Sequence, residues 1–96
     1  MIKYHFHTAR RDVPRLRAKR GDRLCHVYSD RSLEELIEWG ESRGLRAEWI
    51  DQRNVLPHFD VLGSTVSEHE PGVGRGELVA DIRWWRDFQR GGGRRR

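Results

Sequence analysis

The run Leu24-Cys25-His26-Val27-Tyr28-Ser29-Asp30, followed at once by Arg31-Ser32-Leu33-Glu34-Glu35-Leu36, constrains this chain more than any other stretch. It reads as a short buried strand that ends in a polar Ser-Asp corner and enters a helix. Ser32-Leu33-Glu34-Glu35 matches the S-x-x-E capping box, in which the serine and glutamate side chains satisfy exposed backbone donors reciprocally. Leu33, Leu36, Ile37 and Gly40 form one stripe at helical spacing, with Glu34, Glu38 and Glu41 on the other side. Gly44 before Leu45 is a C-terminal stop, so the helix is expected over about residues 33–43.

The flanks extend this into an α/β (α+β) domain. Ile2, Tyr4 and Phe6 alternate with Lys3, His5 and His7, the pattern of a half-buried strand with both histidines on its polar face. Leu45, Ala47 and Trp49 alternate as a further strand; Asn54 to Pro57 make a turn, and His58 to Leu62 offer a fourth strand. Residues 23–51 then form a βαβ unit, with parallel strands joined by a right-handed crossover. Four glycines between Gly63 and Gly76 mark a loop, and Leu78, Ile82, Trp85 and Gln89 mark a second helix over about residues 77–89. The expected architecture is a three- to four-stranded sheet with two main helices in a single small domain, residues 1–89. Residues 9–23 form a mobile basic loop or short helix starting at Asp12-Val13-Pro14, and residues 90–96 a disordered basic tail.

Only 35% of the 96 residues are apolar, so the core must be thin, and four tryptophans supply part of its volume. Trp84 and Trp85 are adjacent on a helix and cannot both face one core, which makes them candidates for an interaction surface. The single Cys25 excludes an intrachain disulfide, and no apolar run reaches the length of a membrane span. A cytoplasmic protein is expected. The net charge of +4 conceals a division. Residues 9–23 hold seven Arg or Lys against two Asp, residues 90–96 hold four Arg, and residues 24–89 hold seven Arg against thirteen acids. Two basic segments on an acidic body suit phosphate attraction, or neutralisation by folding over the acidic helix.

His26-Val27-Tyr28-Ser29-Asp30, Ser32-Leu33-Glu34-Glu35-Leu36, Arg43-Gly44-Leu45 and His58-Phe59-Asp60-Val61 occur in that order, with a weaker match at Gly76-Glu77-Leu78-Val79. Together, over roughly residues 24–88, they resemble a small bacterial and phage family catalogued as domain of unknown function number 4031. The family's first strand commonly ends in two adjacent acids, where this chain has His5-Phe6-His7, and the basic insertion at 9–23 is longer. The resemblance implies kinship of fold and carries no activity with it.

Three function classes fit these residues. The first expectation is a small accessory protein that binds nucleic acid or another macromolecule, without catalysis. Arg10, Arg11, Arg15, Arg17, Lys19, Arg20, Arg94, Arg95 and Arg96 would contact phosphate, and Trp84 or Trp85 would stack on a base. The alternative is a metal-dependent phosphodiesterase or nuclease in which His26, Asp30, His58 and Asp60, with His5 or His7, hold a divalent ion such as Zn or Mn. The third is a homodimer or adaptor docked through the tryptophan pair. A serine or cysteine nucleophile is disfavoured: no nucleophile elbow surrounds Ser29, and Cys25 and His26 point to opposite faces of a strand.

Overall fold

The structure, a computed structural model, describes residues 1–66 and 71–92. Strands β1 (Ile2–Thr8), β2 (Arg23–Ser29) and β3 (Phe59–Leu62) form one sheet in the order β1-β2-β3, both pairs antiparallel. Helix α1 (Leu33–Glu41) lies between β2 and β3 in the chain, and α2 (Arg75–Asp87) follows them. The α+β class, the small sheet and the two helices agree with the sequence.

Alternation in the strands gives the sheet two different faces. On one, Tyr4, Cys25, Val27, Phe59 and Val61 pack against Leu36 and Trp39 of α1 as the main core. The other face is divided along its length. Leu24 at one end is covered by the segment between β1 and β2, through Ala9, Ala18, Val13 and Leu16. Tyr28 at the other end is covered by α2, through Trp85, Leu78 and Ile82. Polar side chains occupy the middle.

Two details of α1 depart from expectation. Ser32 Oγ accepts from Glu35 N at 3.1 Å, but the reciprocal half of the capping box is absent. Ser29, buried at the strand end, takes that role: its Oγ accepts from the Arg31 and Ser32 amides and donates to the Glu35 carboxylate. Beyond α1, Gly44 (φ 79°) reverses the chain and Leu45 N returns to Gly40 O at 2.8 Å. Residues 45–49 consequently do not extend: Ala47–Trp49 is a 3-10 turn, and Trp49 is 53% exposed. The predicted strand at Leu45–Trp49 and its parallel crossover are therefore not formed. The edge of β2 they would have used is taken by β3, running antiparallel.

Gly40 shows why the helical stripe contains a glycine. A Cβ there would lie 2.5 and 2.6 Å from the Phe59 ring, which is 2% exposed and packed in the main core. Alanine would gain about 1 kcal/mol of helix propensity, against an overpacking cost of about 1–3 kcal/mol. Gly40→Ala is expected to lower stability by up to about 2 kcal/mol in urea unfolding. A more stable variant would show that the ring has room to move.

The basic segment is a hydrogen-bonded excursion, not an open loop. Ala9 N donates to Asp22 O and Gly21 N to Ala9 O, closing its base. Val13 and Ala18 pair around a 3-10 turn at Pro14–Leu16, with Arg17 left-handed at φ 56°. Asp12 and Asp22 carboxylates accept from the Arg20 and Lys19 amides. The segment packs on Leu24, on the sheet face opposite α1, and among the described residues it forms no ion pair with Glu34, Glu38 or Glu41, so it does not neutralise the acidic helix. The tail arginines Arg94, Arg95 and Arg96 lie outside the described residues.

The tryptophan pair divides as adjacency on a helix requires. Trp85 is 4% exposed and its Nε1 donates to Ser29 O at 2.8 Å, so it belongs to the core and not to an interaction surface. Trp84 is exposed and stacks on Phe88.

Candidate metal centre

The polar middle of the divided face is a histidine–aspartate cluster, and strand register builds it. His5 sits opposite His26, and His26 opposite Asp60, so three strands contribute one row of side chains. His7 reaches the row from one side along β1, its ring 4.2 Å from that of His26. His58 reaches it from the other, just before β3, its ring 4.6 Å from His26. Asp51 is drawn in by a two-bond bridge to the His58 backbone, at 2.7 and 3.1 Å.

Asp60 is the hub. Its Oδ1 lies 3.1 Å from His26 Nε2 and 3.5 Å from His58 Nε2, and its Oδ2 lies 3.4 Å from Arg15. His58 Nδ1 is 2.8 Å from Leu56 O, and a carbonyl can only accept, so Nδ1 carries a hydrogen. That fixes the ring with Nε2 aimed at Asp60 and, at 3.9 Å, at Asp51 Oδ2. A backbone-anchored imidazole presenting its other nitrogen inward is the usual arrangement of a metal-ligating histidine. His7 Nε2 is buried without any hydrogen-bond partner. An orphaned buried imidazole nitrogen is costly unless something absent from the protein itself satisfies it.

The electrostatics follow the same geometry. Burial would raise the Asp60 pKa, but hydrogen bonds from His26 and His58 outweigh it and hold the carboxyl far below its ordinary range. The Asp51 carboxyl is lowered to about 2, chiefly by the Arg53 side chain, which bonds both its oxygens. Burial would lower the His58 pKa, but the bonds to Asp60 and Leu56 prevail and raise it. His5 and His7 are lowered, first by burial and then by the neighbouring His26.

These shifts have signs that stability must follow. Each depressed carboxyl stabilises the fold fully above the unfolded value near 4 and ceases to as pH falls through its folded value. His58 stabilises below about 6.5 and ceases to as pH rises through its raised value, whereas His5 and His7 destabilise on acidification below about 6.5. The protein is expected to lose stability between about pH 5 and pH 2, followed by circular dichroism. Asp51→Asn should flatten the lower part of that decline. An unchanged acid limb would remove the Arg53–Asp51 pair as its source.

Of the predicted ligands, His26, His58 and Asp60 come together and Asp30 does not. Asp30 lies four residues from His26, about 13 Å along the strand direction, where it pairs with Lys3 and the N-terminal amine. His5 and His7 were legible only as optional contributors. Asp51 carried no sequence signal, because its place depends on the bridge to His58. Two groups of side chains offer ligand atoms within 4.8 Å of one another: His7, His26 and Asp60, and Asp51, His58 and Asp60. The nucleophile candidates fall away. Cys25 is wholly buried in the α1-side core, its thiol pushed up to about 11 by burial, and Ser29 is buried in its capping role.

The basic segment borders the cluster. Arg10 and Arg11 line a cleft of about 630 Å³ with His5, His7 and His26. Arg15 and Arg17 line a second one, about 660 Å³, with Asp60, Trp39, Trp49 and Arg43. Among the described residues, Arg10, Arg11, Arg17, Lys19 and Arg20 form no ion pair. No helix among the described residues is long and apolar enough to cross a membrane.

Comparison with known proteins agrees with the resemblance in the sequence. The chain is 46% identical over 33 residues to "Uncharacterized protein YneQ" of Bacillus subtilis (strain 168), covering 34% of this chain and 33% of that protein. The chain thus matches about a third of that relative's length. No solved structure matches. The family described as "Protein of unknown function (DUF4031)" matches residues 12–71, a span that holds β2, α1 and β3 with His26, Asp51, His58 and Asp60, and the chain belongs to that family.

Proposed function

We propose that the protein is a metal-dependent phosphodiesterase acting on nucleic acid, its ion held by His7, His26 and Asp60. The observation that carries this reading is the buried, unpartnered Nε2 of His7, in a ring whose ligand atom falls within 4.8 Å of those of His26 and Asp60. Two imidazoles and one carboxylate suit Zn, Mn or Fe and leave coordination positions open. An ion there supplies Lewis acidity toward a phosphoryl oxygen.

The remaining roles belong to the chain. Arg10 and Arg11, at the mouth of the histidine cleft and free of ion pairs, attract and orient the phosphate backbone. Arg15 is 64% exposed at its side chain and only 3.4 Å from Asp60, so it can turn from the carboxylate to a phosphate arriving beside it. His5, outside the ligand group and with its Nδ1 3.5 Å from His26 Nδ1, takes the proton of the attacking water. Water adds to phosphorus, the P–O bond to the leaving sugar oxygen breaks, and that oxygen gains a proton from solvent.

Protein freed of metal and then given excess Mn or Zn is expected to melt at least about 10 °C higher at 100-fold excess over Kd. It should then hydrolyse bis(p-nitrophenyl) phosphate and single-stranded oligonucleotides, and His26→Asn should lose both properties. A melting temperature indifferent to either ion, in a correctly folded sample, would refute the proposal.

A further inference from the structure

We infer that the centre is dinuclear, with Asp60 bridging one divalent ion held by His7 and His26 and a second held by His58 and Asp51. This rests on the metal-site reading above and deepens it. The two ligand groups are distinct in every member except Asp60. Its Oδ1 stands between two imidazole nitrogens, 3.1 Å from His26 Nε2 and 3.5 Å from His58 Nε2. Those separations are close to the spacing of neighbouring ligands around one ion with bonds of about 2.0–2.2 Å. The two rings lie 4.6 Å apart at an interplanar angle of 64°, and neither ligand group takes in both His26 and His58.

The second position has its own built features. His58 is 8% exposed and its Nδ1 is fixed on Leu56 O, which commits Nε2 to the space between Asp51 and Asp60. Asp51 is kept ionised and oriented by Arg53, whose side chain bonds both carboxylate oxygens and whose backbone N–H donates to Oδ1. The charges facing the pair are the carboxylates of Asp51 and Asp60, with Arg53 behind the first and the exposed Arg15 beside the second. Two ions about 3.5–4 Å apart form the symmetric clamp used for in-line displacement at phosphorus, stabilising both the attacking and the leaving oxygen. The edge-strand carboxylate is thus a bridge and not a simple ligand.

The test is a titration of metal-free protein with Mn, read by bound equivalents and by electron paramagnetic resonance. The wild type should take up two equivalents, and the signal at saturation should be that of an exchange-coupled pair. Asp51→Asn should keep one equivalent with an uncoupled signal, and His58→Gln should do the same if Asp51→Asn folds poorly. Saturation at one equivalent, or two equivalents with no coupling, overturns the dinuclear assignment and leaves the single-ion reading standing. Absence of any binding overturns both.

Discussion

Asp60→Asn protein is expected to lose metal binding almost completely, with an affinity drop of more than about 100-fold. Asparagine has the volume of aspartate and still accepts one hydrogen bond, so the fold survives. It lacks the negative charge that both imidazoles face at 3.1 and 3.5 Å. The matched control is Asp30→Asn. Asp30 belongs to the same face of β2 by parity and to the same Ser-Asp corner that draws the eye in the sequence, yet it is committed to Lys3 and the amino terminus. Its variant should bind metal as the wild type does. Melting scans of both variants with and without Mn make the comparison, and equal metal response in the two would dissociate Asp60 from the site.

Trp85→Ala should cost about 3–5 kcal/mol, the range for deleting a buried large aromatic. That is a large part of the about 5–15 kcal/mol expected for a domain of this kind. The side chain fills the space between α2 and the Tyr28 end of the sheet, and its indole N–H satisfies the Ser29 carbonyl. Trp85→Phe separates the two contributions, since it keeps much of the ring and orphans the carbonyl, at about 1 kcal/mol or somewhat more. Trp84→Ala, one residue away and 41% exposed, should change stability by about 0.5–1 kcal/mol. Urea unfolding of the three variants gives the ranking. Comparable losses at Trp84 and Trp85 would contradict the placement of α2.

What the sequence made legible followed from local physics. Alternation in Ile2–Thr8, the S-x-x-E start and the glycine stop each depend on a few neighbouring residues, and each produced the expected element. The strand expected at Leu45–Trp49 failed because alternation cannot report whether a sheet edge is free, and β3 had taken it. The cluster was half legible for the same reason. His26 and His58–Asp60 sit in recognisable strands, and parity within β1 put His5 and His7 on one face. Register alone decides that His5, His26 and Asp60 form one row, and that Asp30 lies beyond it. Asp51 was invisible, since its approach depends on a backbone bridge across the Asn54–Pro57 turn.

The division of labour between the strands has a consequence for how the protein would respond to its ion. His5, His7 and His26 come from the β1–β2 hairpin, whereas Asp60 comes from a short edge strand paired on one side to β2, and His58 from the residue just before it. Such an edge is where local opening is least costly, and opening it would carry away two ligands at once. An ion spanning Asp60 and His26 would therefore work as a cross-link between hairpin and edge. Amide hydrogens of Phe59–Leu62 would exchange slowly in the loaded protein and quickly without metal, and the histidine–aspartate row would stay assembled only while the staple is in place.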